Sequence, residues 1–102
     1  MTDERLTDLV AEHVMGWKST PDRFIKSGRS WLPKWRFRPL SELTDAFRLL
    51  DHAAEHYTLT RNRSLLTADV QIASCRGTAT GEYLARTITL AVAQALQLEV
   101  GE

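Results

Sequence analysis

Tyr57-Thr58-Leu59-Thr60-Arg61-Asn62-Arg63-Ser64-Leu65-Leu66-Thr67-Ala68-Asp69-Val70-Gln71-Ile72-Ala73-Ser74-Cys75-Arg76 is the stretch on which the fold turns. Its residues alternate with the two-residue period of a strand. Ala68, Val70, Ile72 and Ser74 fall on one side, and Asp69, Gln71, Ala73 and Cys75 on the other, only mildly polar, side. Arg61-Asn62-Arg63-Ser64 reads as the turn, so strands are predicted near 57–61 and 67–76, joined as an antiparallel hairpin.

Both flanks switch to helical period. Upstream, Ser41 reads as an N-cap with Glu42 and Asp45 in the first turn, and Leu43, Ala46, Phe47, Leu50, Ala53, Ala54 and Tyr57 trace one stripe; the spacing predicts a helix over 42–56. Downstream, Gly77-Thr78-Ala79-Thr80-Gly81 reads as a loop leading into a helix over 82–98, with Leu84, Ile88, Ala91, Val92, Ala95 and Leu98 as its stripe. That last helix is apolar over more than one face, which predicts deep burial or a helix–helix contact.

A third helix opens the chain, predicted over 3–15. Thr2 caps it, Asp3 and Glu4 oppose the dipole, Leu6, Leu9, Val10, His13 and Val14 share a face, and Gly16 supplies the left-handed stop. Pro21, Gly28, Pro33 and Pro39 then break the pattern. Short strands near 16–19 and 23–26 pair across Thr20-Pro21-Asp22, and 27–38 reads as an extended loop anchored by its tryptophans. The order is α-β-β-α-β-β-α, an α+β class in which a small antiparallel sheet is sandwiched by helices. The expected core is Leu9, Val14, Trp17, Leu43, Phe47, Leu50, Val70, Ile72, Leu84, Ile88 and Val92.

The 102 residues predict a single domain over 1–102, and 43% hydrophobic and 25% charged residues are an ordinary globular mix. One cysteine, Cys75, excludes an internal disulfide. No apolar run approaches the ~18–20 residues of a membrane span, and none follows the N-terminal Met-Thr-Asp-Glu-Arg as in a secretory leader. A cytoplasmic protein without a membrane partner is expected.

Net charge is zero, but it is blocked along the chain. Residues 1–16 carry one base against four acids (net −3), 17–38 seven bases against one acid (net +6), and 39–60 one base against four acids (net −3). All three tryptophans lie in the basic block. Cations attract phosphate or acidic protein surfaces, and aromatics supply stacking and hot-spot area. Arg29, Trp31, Lys34, Trp35, Arg36 and Arg38 are therefore the candidate partner-binding residues, with Trp17 assigned to the core. The competing reading is that the flanking acidic blocks neutralise these bases within the molecule.

Other sites carry less. Gly77, Thr78, Thr80 and Gly81, read before a helix, form a candidate anion site, but the pattern lacks the lysine of a nucleotide loop. His52 and His56 at i, i+4 would share a helix face but lack further ligands, so no metal and no cofactor are expected. His13 reads as a half-buried histidine, and Cys75 as a small packed hydrophobe.

Leu9-Val10-Ala11-Glu12-His13-Val14-Met15-Gly16-Trp17 resembles the opening of the bacteriophage ABA sandwich domain proteins. The Trp31 to Pro39 loop, the helix with Ser41, Asp45, Ala46 and Phe47, and the Ile88 to Leu96 run extend the resemblance over roughly residues 6–98. Gly81-Glu82-Tyr83 departs from the family's acidic-threonine helix start, and Phe47 stands where tryptophan is commoner. The resemblance implies a helix–sheet–helix fold, a phage or prophage origin, a host bacterial cytoplasmic setting and no catalytic residues. With no acid–base pair, metal cluster or nucleophile in the sequence, the expectation is a non-enzyme. The leading reading is an inhibitor that blocks a bacterial defence complex, of protein or ribonucleoprotein, as an anti-CRISPR protein does. A sponge for a small cyclic-nucleotide signal and a minor virion structural protein are the alternatives. A homodimer is among the partners allowed.

Overall fold

The computed structural model describes residues 2–27 and 29–96. Among them the chain forms three α-helices and two three-stranded antiparallel sheets. The class is the expected α+β, but the strands divide into two sheets, and each half of the chain contributes one strand more than its sequence announces.

Helix α1, Asp3–Val10, starts where Thr2 accepts a hydrogen bond from the Arg5 amide (3.1 Å). It continues as a wider π-type turn, Ala11–Met15, ended by Gly16 at φ +72°. The Trp17 amide donates back to the Ala11 carbonyl (3.2 Å), closing the helix in the left-handed manner that glycine favours. His13 in this turn is exposed, contrary to the half-buried expectation.

Strands β1 (Lys18–Ser19), β2 (Arg23–Ser27) and β3 (Ser30–Pro33) form the first sheet in that order. Strand β3 replaces the front of the loop expected over 27–38: Phe24 pairs with Leu32 and Ile25 with Trp31. A single 3₁₀ turn, Lys34–Arg36, follows.

Helix α2, Leu43–Ala53, is shorter than predicted, and Glu42 rather than Ser41 holds its cap position. Asp45 is buried and its carboxylate accepts from the Arg38 amide (2.9 Å), so it ties the preceding segment to the helix. Leu43 is exposed and Phe47 half-buried, whereas Ala46, Leu49 and Leu50 are fully buried. The buried stripe thus runs one residue round the helix from the predicted one.

The second sheet is β4 (His56–Asn62), β5 (Leu65–Ile72) and β6 (Cys75–Gly81), paired in chain order. Two-residue turns join them, and Arg63 and Ala73 take positive φ (61° and 54°), as primed hairpin turns require. The predicted strand 67–76 therefore ends at Ile72, and the predicted loop 77–81 is a strand. One face holds Leu66, Ala68, Val70 and Gly77, all buried beneath helix α3, Leu84–Ala95. The other face is mostly exposed and rich in threonine: Thr58, Thr60, Thr67, Thr78 and Thr80.

Helix α3 is the centre of the molecule. It packs on β5 and β6 on one side and on α2 on the other, so both readings of its broad apolar surface hold. Its Thr89 hydroxyl, fully buried, lies 2.8 Å from the Pro39 carbonyl and 2.9 Å from that of Ala85. The predicted end of this helix at 97–98 lies outside the described residues. One contiguous core joins Leu6, Val10, Phe24, Phe37, Leu49, Leu50, Val70, Ile88 and Val92. Phe24, Phe37 and Leu49 were not in the predicted core; Leu43 was, and is not part of it.

Candidate partner-binding surface

The basic, aromatic block 17–38 separates into an inner and an outer set of side chains. The inner set is a cluster of three rings. Trp17 meets Phe37 edge-on at 5.0 Å and Phe24 at 5.8 Å, and Phe24 meets Phe37 edge-on at 5.8 Å. Such arrangements match the edge of one ring to the face of the next. Phe24 and Phe37 are fully buried, and Trp17 is half-buried with Lys26 above it, as its core assignment expects.

Lys34 belongs to the inner set. Its Nζ lies 2.5 Å from Asp8 Oδ1, 2.6 Å from Ser19 Oγ and 4.4 Å from the centre of the Phe24 ring. This half-buried ion pair binds the basic segment to α1, so one base of the block is neutralised within the molecule by an acid of the preceding block. Lys34 is therefore a brace rather than an exposed contact.

Trp31 and Trp35 form the outer set, with 51% and 70% of their surface exposed. On the β2–β3 hairpin, Arg23 lies 4.3 Å from the Trp31 ring centre and is ion-paired to Asp22 at 2.9 Å. Hydrogen bonding from Arg23 holds the Asp22 carboxyl below its ordinary range and raises the Arg23 guanidinium in turn. Arg36 lies 5.5 Å from the Trp35 ring centre. Arg29, Arg36 and Arg38 are exposed. Arg23 was missed from the sequence because only the hairpin register places it beside Trp31.

An open cleft of about 940 Å³ lies between α1 and this segment. Asp3, Glu4, Asp8 and Glu12 line it together with Arg5, Lys34 and Arg38, with Trp35 at its wall. Four carboxylates against three bases leave it without the positive excess a phosphate-rich ligand requires.

The other candidates are rearranged. Gly77, Thr78, Thr80 and Gly81 lie in β6, paired with β5, and not in a loop before a helix. The Thr78 amide donates to Gln94 Oε1 (2.5 Å), and a Cβ on Gly77 would collide with the Ala91 carbonyl and the Ala95 amide nitrogen. Gly77 is there for close helix–sheet packing, and the expectation that 77–81 is a loop is corrected to a strand. His52 sits in α2 and His56 opens β4, so the i, i+4 helical pairing is broken. No group of three or more metal-ligating side chains occurs among the described residues. Cys75 is half-buried at the start of β6. No helix among the described residues is long and apolar enough to cross a membrane.

The fold is shared with a phage protein from Bacillus cereus ATCC 14579, known from a 2.0 Å crystal structure, to which this chain is similar with a TM-score of 0.78. The likeness covers 99% of this chain and 93% of the other at 15% sequence identity. No curated protein matches the sequence. The family model of the phage ABA sandwich domain matches residues 8–95, from the middle of α1 to the end of α3, and the chain belongs to that family.

Proposed function

We propose that this phage-family protein is a non-enzymatic binder that docks its Trp31, Trp35 and arginine surface onto a bacterial host complex, of protein or ribonucleoprotein, and blocks it by occlusion. Counter-defence of the anti-CRISPR kind is the activity this reading names, in the host cytoplasm. One observation carries it: two tryptophans stand 51% and 70% exposed on one short segment, each beside an arginine, while the other rings of that segment, Trp17, Phe24 and Phe37, are half-buried or buried. Exposed tryptophan and arginine are the residues that dominate protein interfaces when covered. The ring cluster and the Lys34 brace behind them hold the display in shape, which lowers the ordering cost on association.

The nucleotide-sponge reading draws less support, because the cleft carries no net positive lining and residues 77–81 are occupied in a strand ladder. The test is affinity capture from bacterial lysate with wild-type protein and the Trp31→Ala/Trp35→Ala variant, followed by direct binding to the captured complex. Binding should weaken about tenfold or more with the melting temperature unchanged. Charge reversal belongs at Arg29, Arg36 and Arg38; at Lys34 it would act through the fold. Equal capture by both proteins, or recovery of a bound nucleotide instead of a complex, overturns the proposal.

A further inference from the structure

Of the seven bases in residues 17–38, two are ion-paired: Arg23 with Asp22, the one acid of the block, and Lys34 with Asp8. The other five, Lys18, Lys26, Arg29, Arg36 and Arg38, have no ion pair among the described residues, and all are exposed. Of the flanking acids, Asp3 turns instead to Arg86 and Asp45 to Arg48, both outside the block. The flanking acids thus neutralise Lys34 alone, and a strong positive excess stays at the surface.

Part of that charge surrounds a flat ring. Strand register sets Lys18, Ile25 and Trp31 in one row across β1–β2–β3, and Arg23, two residues from Ile25, lies on the same face. The next row, Ser19, Phe24 and Leu32, takes the opposite face, where Phe24 and Leu32 join the core. Trp31 therefore stands on the outer face, 51% exposed, with Arg23 4.3 Å from its ring centre. Arg29 lies in the connection two residues before it. Apart from Trp31, this face offers only Ile25 and Pro33 as apolar area, both half-buried. Protein interfaces are depleted of charge at their centres, whereas nucleic-acid interfaces are rich in positive charge. An indole stacks on an unpaired base whatever its identity, while lysine and arginine meet the phosphates on either side. A duplex keeps the faces of its bases within its own stack, so this chemistry fits a single strand.

We propose that the outer face of the β1–β2–β3 sheet binds single-stranded nucleic acid, with Trp31 stacking on a base and Lys18 and Arg29 meeting the flanking phosphates. This rests on the reading of the segment as the docking surface and, of the two partners given there, selects the ribonucleoprotein. Lys18, Arg23, Ile25 and Trp31 do not line the carboxylate-bearing cleft beside α1, so its acids are not part of this face.

Fluorescence anisotropy of labelled oligouridine and oligodeoxythymidine, titrated with the full chain at several salt concentrations, tests it. Stacking and phosphate contacts are indifferent to the sugar, so both strands should bind, and affinity should fall steeply as salt rises. A duplex of the same length should bind more weakly. Trp31→Ala should weaken single-strand binding about tenfold, and Trp31→Phe should retain most of it, because stacking needs only a ring. Lys18→Glu/Arg29→Glu should weaken binding and flatten its salt dependence. Circular dichroism melting should be unchanged in every variant. No binding of either strand, binding indifferent to Trp31→Ala, or a duplex bound as tightly as a single strand would each overturn the inference. The host-binding reading fails separately. Trp31-dependent capture from lysate that survives nuclease treatment, with neither oligonucleotide bound, would keep that reading, point to an acidic protein partner and overturn this one.

Discussion

The two sheets of this protein are held by different means. In β4–β5–β6 the backbone does most of the work: both ladders run without a slip, and α3 sits so close that the buried position opposite Ala91 and Ala95 must be glycine. In β1–β2–β3 the ladder is short and slips between Ile25 and Ser27. The segment that follows has little repetitive structure and is held by side chains: three rings packed edge-on and tilted, Lys34 on Asp8 and Ser19, and the Arg38 amide on Asp45. A regular ladder fixes the whole backbone at once through its own hydrogen bonds. An irregular segment fixes chosen side chains, which suits it to display others.

This comparison is broken first at Phe37. Phe37→Ala removes a fully buried ring from the cluster and should cost about 3–5 kcal/mol. Denaturant unfolding measures it; a loss below about 1 kcal/mol would show that the rings do not hold the segment. Gly77→Ala tests the other sheet. A methyl group there must displace α3 backbone, so about 1–3 kcal/mol is expected, with hydrogen-exchange protection falling in β6 and α3 before it falls in β2. Uniform loss of protection across both sheets would deny that they are distinct in this way.

The smallest effect comes from acid. Each sheet carries one exposed aspartate–arginine pair, Asp22–Arg23 and Asp69–Arg76. Hydrogen bonding from the arginine lowers each carboxyl below its ordinary 3.8. A carboxyl that binds its proton less readily folded than unfolded stabilises the fold above the unfolded value. That contribution disappears as pH falls from 3.8 through the lower folded value. Exposed pairs contribute little, so unfolding midpoints should show a shallow acid slope that Asp22→Asn and Asp69→Asn each reduce. A slope unchanged by both substitutions would remove the pairs from the account.

The helices and the first hairpin strands were legible because their signals are local. Thr2 and Gly16 bracket the opening helix in sequence as they do in space. The second hairpin turn was not, since Ala73-Ser74 carries neither glycine nor asparagine and its positive φ is imposed by the ladder on both sides. Losing that turn turned β6 into a loop and lent its glycines an anion-binding look. Among the candidate site residues, the sequence placed Trp31, Trp35 and the arginines in one block and could not sort them.

What the sequence determined by itself is therefore the class of the fold, the position of each helix within a few residues, and the accumulation of charge and tryptophan between α1 and α2. These follow from period, caps and composition, all of which act within a few residues of chain. Tertiary structure alone decided which members of that block face inward. Lys34 turned to Asp8, 26 residues away, and became half-buried, whereas Trp35 beside it stayed exposed. The reason is physical. A cation leaves water only where a carboxylate and a hydroxyl meet it, and the meeting point of Asp8, Ser19 and Lys34 exists only once α1, β1 and the 3₁₀ turn have packed.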